Sequence, residues 1–267
     1  LSSAVEARAK LNLFLEVIGR RPDGYHEIDS VFSEIDLSDT LRIERSDSLS
    51  LTVEGLGAPA GAENLAWRAA AALGAKARIH LTKRIPMGAG LGGGSSDAAA
   101  VLRALGGGLP PGKLLEIARS LGADVPFFLT GGTARCRGVG DLVEPLEGGA
   151  GRRFLLLVPE LHISTADVYR VAGPLLTGRR RSATVFARRY LGKAGGGGAA
   201  FFNRLQGAAE SLEPRLREVR EKAERMFGMT FTMTGSGAAY FSALVAGVSE
   251  PFEAAGLKVN VLSVMTV

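Results

Sequence analysis

The chain has 267 residues, 46% of them apolar and 22% charged, with a net charge of +5. Those proportions belong to a globular protein of about two domains and exclude a disordered, collagenous or solenoidal chain, while so small a positive excess allows anionic ligands without requiring nucleic acid. The single cysteine, Cys136, excludes an internal disulfide and a cysteine-based zinc site, and suits a reducing cytoplasm.

Residues 9–18 alternate. Leu11, Leu13, Leu15 and Val17 predict a strand with one buried face, which puts Lys10 and Asn12 together on the other. Glu6, Arg8 and Lys10 interrupt this region, so no secretory core is expected. Pro22-Asp23-Gly24 turns the chain, and Tyr25 and His26 follow the turn. Extended segments are expected over 28–32, 40–44 and 49–54, then a Gly/Ala/Pro loop over 55–62. A helix is expected over 64–74, with Asn64 as its candidate N-cap. Residues 78–85 alternate again, Ile79, Leu81 and Ile85 against Arg78, His80 and Lys83.

A glycine-rich loop then runs into an Ala-rich helix. Pro111 to Leu121 predicts another helix, stopped by Gly122, and Asp124 opens the next element. The composition break EGGAGR at 147–152 divides the chain into 1–150 and 151–267. The second half predicts a strand over 154–158, too short for a membrane span, and a helix over 165–172. A basic Arg179–Arg181 stretch and a run of four glycines, Gly195–Gly198, belong to exposed loops. An amphipathic helix over 212–227 and a strand, turn and strand over 230–245 around Gly235-Ser236-Gly237 complete it.

The loop is the strongest chemical signal. Five of the seven residues 88–94 are glycine. Such a run lets successive N–H groups point into one concavity, and the following helix N-terminus adds about half a positive charge. A cap for that helix would need only one or two glycines; five suit a phosphate, with Ser95 and Ser96 able to donate hydroxyls. No Lys follows the glycines, so this is not a Walker A loop. Gly88-x-Gly90-x-x-Gly93 matches the dinucleotide fingerprint formally, but the strand before it alternates, where a buried parallel strand is apolar throughout. Without H-R-D or D-F-G the protein-kinase set is also absent.

The string Pro86-Met87-Gly88-Ala89-Gly90-Leu91-Gly92-Gly93-Gly94-Ser95-Ser96-Asp97 resembles the ATP-binding motif of the GHMP kinases, which include galactokinase, homoserine kinase and mevalonate kinase. The segments 9–15 (AKLNLFL), 21–26 (RPDGYH), 122–126 (GADVP) and 234–237 (TGSG) stand in that family's order, so the resemblance covers nearly the whole chain. It implies an α+β fold of two domains, an N-terminal domain like domain 2 of ribosomal protein S5 and a ferredoxin-like C-terminal domain. It implies ATP with Mg²⁺, Asp124 as catalytic base and Lys10 as its assistant. Without the resemblance, Asp124 reads as an N-cap and Lys10 as a solvated cation on an edge strand. The RPDGYH segment resembles the branch of the family whose substrate is a cytidine diphosphate-linked polyol. In that branch Tyr25 and His26 would read the base, Tyr169 would close the sandwich from one turn beyond Thr165, and Asn12, Gly235 and Ser236 would adjoin the substrate. Asn64 and Lys83 match positions that approach ATP; their bland readings are an N-cap and a surface lysine. Magnesium ligands are not assigned beyond Ser95 or Ser96 as candidates, and the oligomeric state stays open. A mevalonate- or homoserine-type kinase is the nearest rival, a nicotinamide enzyme a more distant one. A nucleic-acid module built on Arg179–Arg181, Arg188 and Arg189 lacks an aromatic platform, since aromatics are only 6% of residues. Nucleic-acid and membrane partners are therefore not expected.

Overall fold

The computed structural model describes residues 3–173, 180–192, 200–244 and 250–267. Arg179 and Gly195–Gly198 lie outside the described residues, as does the end of the strand expected to reach residue 245.

The chain opens with a long hairpin, β1 (Ser3–Arg20) and β2 (His26–Arg45), closed by the predicted turn. The two extended segments expected at 28–32 and 40–44 are halves of the single strand β2. β3 (Ser50–Gly55) lies parallel to β4 (Ala77–Lys83), which pairs with the second half of β2. The helix α1 (Leu65–Ala72) joins these strands; the Oδ1 of Asn64 accepts from the N–H of Ala66 at 2.8 Å, as its cap role predicts. The helices α2 (Gly93–Leu105), α3 (Pro111–Leu121) and α4 (Val125–Thr130) follow. β5 (Thr133–Gly138) and β6 (Leu142–Leu146), which alternation did not reveal, extend the sheet beside the first half of β2.

A second sheet begins with β7 (Arg153–Pro159). After the helices α5 (Thr165–Ala172) and α6 (Ala183–Leu191), the short β8 (Phe202–Asn203) returns to the first sheet and pairs parallel with β1. Then come α7 (Gln206–Leu212), α8 (Pro214–Phe227), β9 (Thr232–Met233), β10 (Tyr240–Ala243), β11 (Phe252–Ala254) and β12 (Leu257–Met265). The one helix expected over 212–227 starts at Pro214, and α7 precedes it as a separate helix. The second sheet is antiparallel, in the order β11-β12-β7-β10-β9. Its central strand β7 is covered on both faces, which explains the unbroken run Phe154-Leu-Leu-Leu-Val158. Phe154, Leu156 and Val158 meet the first sheet; Leu155 and Leu157 join the core of α5, α7 and α8. Among the described residues no helix is long and apolar enough to cross a membrane.

The leucine alternation in β1 does not mark one buried face. Asn12 lies opposite Phe32 and Phe14 opposite Val31, so Leu13 is an extra residue, a β-bulge. Leu11, Leu13 and Phe14 therefore pack between the sheets, and Leu15 and Val17 belong to the core that also holds Ala98, Leu102 and Phe127. Lys10 and Asn12 precede the bulge on the helix side and are buried. β2 flanks them on one side; on the other, β8 pairs only with Phe14 and Leu15, and the Lys10 and Asn12 N–H groups donate instead to the Leu91 carbonyl and the Thr234 hydroxyl.

Lys83 likewise shares the parity of Ile79 and Leu81, not that of Arg78 and His80, and points inward. Its Nζ donates to an oxygen of Asp39 and, at 2.8 Å, to Oδ2 of Asp97. The other oxygen of Asp39 accepts the N–H groups of Arg84 at 2.5 Å and Ile85 at 2.8 Å. This buried triad ties β2, β4 and α2 together where the glycine loop begins. Burial pushes the Asp97 carboxyl up to about 7, the charge on Asp39 adding to the rise and Lys83 opposing it. A carboxyl raised in the fold binds a proton that the unfolded chain releases, so its contribution to stability is lost as pH rises towards 7. Asp97→Asn is therefore expected to gain stability relative to the wild type between pH 5 and pH 8. Urea melts across that interval test this, and a constant difference contradicts it.

Candidate active site

One cleft of about 1670 Å³ collects almost every residue that the sequence singled out. The glycine loop forms part of its wall. Gly88, Gly90 and Gly92 all have positive φ, between 65° and 76°. Gly90 has a second reason to be glycine: a Cβ there would stand 2.2 Å from the backbone oxygen of Thr234. Gly92 is the N-cap of α2 and has no side chain to satisfy the first N–H groups of that helix, which leaves them for a ligand. Ser95 lines the cleft, whereas Ser96 is buried and does not. Pro86, Met87, Ala89, Leu91, Gly93 and Gly94 line it as well, with Asn64 and Lys83.

Lys10 and Asp124 meet in this cleft. The Lys10 Nζ lies 3.5 Å from Oδ2 of Asp124, donates to Oδ1 of Asn12 and sits 4.8 Å from the Phe32 ring centre. Asp124 stands at the N-cap position of α4, but its side chain makes no capping hydrogen bond. The cap reading therefore fails, and the carboxylate, 30% exposed, faces the cleft beside a lysine that is 4% exposed. A buried ammonium holding a half-open carboxylate can stabilise negative charge that appears on a neighbouring oxygen.

At another part of the wall the His26 and Tyr169 rings stack, 4.9 Å between centres and 26° between planes. Burial lowers the His26 imidazole, and the Arg20 charge lowers it further, so at neutral pH its ring can both donate and accept. Burial raises the Tyr169 hydroxyl, and the charge on Asp124 pushes the same way. Tyr25 is 66% exposed at the cleft mouth. Thr165 and Ser236 share a hydrogen bond of 2.7 Å between hydroxyls, which joins the start of α5 to the Gly235-Ser236-Gly237 turn.

Sequence reasoning missed the residues that hold these parts in place. Thr234 Oγ1 accepts the N–H of Asn12 at 2.9 Å, and the Asn203 amide donates to the carbonyls of Met233 and Gly235, each at 2.7 Å. Thr234 stands in the TGSG segment that carries part of the resemblance, but nothing in that segment marks it as a partner of Asn12. Asn203 and Asp39, anchor of Lys83, carry no local signal, because each acts on partners distant in the chain.

The chain is similar to several known proteins. Residues 64–132 match the N-terminal domain of the GHMP kinases. The 4-diphosphocytidyl-2-C-methyl-D-erythritol kinase of Pelotomaculum thermopropionicum is 41% identical over 248 residues, 88% of this chain and 86% of that protein. The enzyme of the same name from Verminephrobacter eiseniae is 43% identical over 253 residues, 88% of this chain and 83% of that protein. A crystal structure of a 4-(cytidine 5'-diphospho)-2C-methyl-D-erythritol kinase superposes with a TM-score of 0.77 at 42% identity, over 91% of each chain. Mevalonate kinase of Methanococcus jannaschii, at 14% identity, a TM-score of 0.61 and coverage of 100% of this chain and 99% of that one, shares the fold. With its α+β architecture, its glycine loop and this degree of identity, the chain belongs to the 4-diphosphocytidyl-2-C-methyl-D-erythritol kinase branch of the GHMP kinase family.

Proposed function

We propose that this chain transfers the γ-phosphoryl group of ATP to the 2-hydroxyl of 4-diphosphocytidyl-2-C-methyl-D-erythritol, a step of the non-mevalonate isoprenoid pathway. The names of its relatives support the substrate. The observation that carries the reaction is the Lys10–Asp124 pair at 3.5 Å, in the same cleft as the glycine loop and the His26–Tyr169 stack. Residues 1–150 would form the unit that supplies the loop, Lys10 and Asp124. Residues 151–267 would form the unit that supplies Thr165, Tyr169 and Ser236. The one thiol, Cys136, is buried and unpaired, which supports a cytoplasmic setting.

In the proposed step Asp124 accepts the proton of the 2-hydroxyl as its oxygen bonds to the γ-phosphorus, and the bond from that phosphorus to the β-phosphate oxygen breaks to release ADP. Lys10 offsets the charge that gathers on the acceptor oxygen. The N–H groups of the glycine loop and the α2 dipole would hold the phosphates, and Asn64 and Lys83, which line the same cleft, would adjoin the ATP. Among the described residues no group of three or more His, Cys, Asp or Glu is placed to hold a metal. Magnesium is bound mostly through phosphates and water, so it needs only one or two protein oxygens. Ser95 and Asp97, whose Oδ1 has no hydrogen-bond partner, fit that need. The ion would supply neutralisation of the β- and γ-phosphate charge.

Turnover with the cytidylyl polyol, against mevalonate and homoserine in a coupled ADP assay, tests the assignment; preference for either of the others refutes it. Asp124→Ala is expected to lower kcat by about 10²–10⁴-fold with ATP affinity nearly unchanged, and wild-type turnover would remove its role as base. Base–aromatic stacking contributes about 1–3 kcal/mol. Tyr25→Ala should therefore raise KM for the cytidylyl substrate at least fivefold more than KM for ATP, and equal changes would argue against a ring on the base.

A further inference from the structure

The substrate reading above places a diphosphate, two negative charges, between a base and a polyol. The residues assigned so far to that molecule offer rings, hydroxyls and an amide, but no cation to spare. Among the described residues five lysine and arginine side chains line the cleft: Lys10, Arg20, Lys83, Arg170 and Arg180. Three of them are engaged. Lys10 is held by Asp124 and Asn12, Lys83 by Asp39 and Asp97, and Arg170 by Asp167 at 2.9 Å. Among the described residues, Arg20 and Arg180 face the cleft with no ion pair and no side-chain hydrogen bond.

Arg20 belongs to the base-reading end. It is the last residue of β1, lies opposite His26 in the hairpin, and acts electrostatically on that ring. Arg180 is brought to β1 by its neighbour. The backbone N–H of Arg181 donates at 2.8 Å to Oε2 of Glu16, a fully buried carboxylate on the same strand. Burial alone would raise Glu16. The Arg204 guanidinium, which donates to it at 2.7 and 2.8 Å, and the N–H groups of Arg181 and Val17 outweigh burial, so the carboxyl lies below its ordinary range and is charged. The Arg181 guanidinium also stacks on the Phe202 ring, 4.2 Å from its centre. The chain is thus fixed on both sides of its backbone at residue 181, and the preceding side chain is delivered to the cleft. An anchored guanidinium with free donors matches a diphosphate in shape and in charge.

We infer that Arg180, assisted by Arg20, binds the diphosphate of the acceptor and makes the enzyme select diphosphate-linked cytidine over cytidine and its monophosphate. The inference rests on the substrate reading above. Calorimetric titration of the full chain with CDP, CMP and cytidine tests it. The wild type is expected to bind CDP more tightly than cytidine. Arg180→Ala should lose about tenfold or more in CDP affinity and leave cytidine affinity and KM for ATP unchanged, the latter confirming the fold. Arg180→Lys should recover only part of the loss, since a point charge cannot reproduce the fork. At saturating substrate kcat should stay within about twofold, because the residue acts in binding. Wild-type affinity for CDP in Arg180→Ala, or equal binding of CDP and cytidine by the wild type, overturns the inference while the kinase reading stands. Failure of the wild type to bind any of the three compounds overturns the substrate reading itself.

Discussion

The site depends on one close backbone approach. Gly90 passes so near Thr234 that no side chain fits between them, and its carbonyl also lies within 3.4 Å of the Thr234 hydroxyl. The same hydroxyl takes the Asn12 N–H, and the N–H of Lys10 donates to the carbonyl of Leu91 at 3.0 Å. The glycine loop, the Lys10 strand and the Thr234 turn are thereby held as one unit. Each bond would be modest alone. Their shared geometry fixes where the glycine loop lies relative to the Lys10 ammonium.

Two lysines are buried close to this unit, and their surroundings give them different work. Lys83 is held by two carboxylates that are themselves buried, with the N–H groups of Arg84 and Ile85 completing the set. Such an arrangement is costly to break and rigid, suited to fixing the junction of β4 with the loop. Lys10 has a neutral amide on one side and, on the other, a carboxylate still partly open to the cleft. Its charge is less completely compensated, and so it remains able to respond to new negative charge. The contrast is one of pairing: closed at Lys83, open to the cleft at Lys10.

Both halves of the chain meet at the cleft because β7 is buried on two faces. Its one face packs on β1 and β2, and its other on α5 and the two helices after β8. That double packing seats α5, with Tyr169, across from the hairpin that carries His26. The stack of these two rings is thus a product of sheet packing rather than of any local signal.

Much of the chemistry was legible in the residues themselves. The density of glycine before Ser95 exceeds what a helix cap needs, and Gly88, Gly90 and Gly92 do take positive φ in the fold. Asn64 was readable as a cap because its partner N–H is only two residues away. The order of the short motifs disclosed the family. Alternation proved less informative: it reports that polar and apolar residues take turns, not which side a residue faces after a bulge. It does not show that Leu13 and Leu15 enter different cores, and at Lys83 it assigns a polar side chain on an inward position to the outer face. Asp39 and Asn203, and the bond that Thr234 makes from within its TGSG segment, are invisible for a different reason. The bond from Asn12 to Thr234 joins residues 222 positions apart. Such a pairing is set by strand register and sheet packing, which no local pattern encodes. The amino-acid sequence determined which chemical groups were at hand and that a glycine-dense loop leads into the N-terminus of α2. Tertiary packing decided which lysine met which aspartate, because burial and long-range register choose among partners that composition alone leaves equivalent.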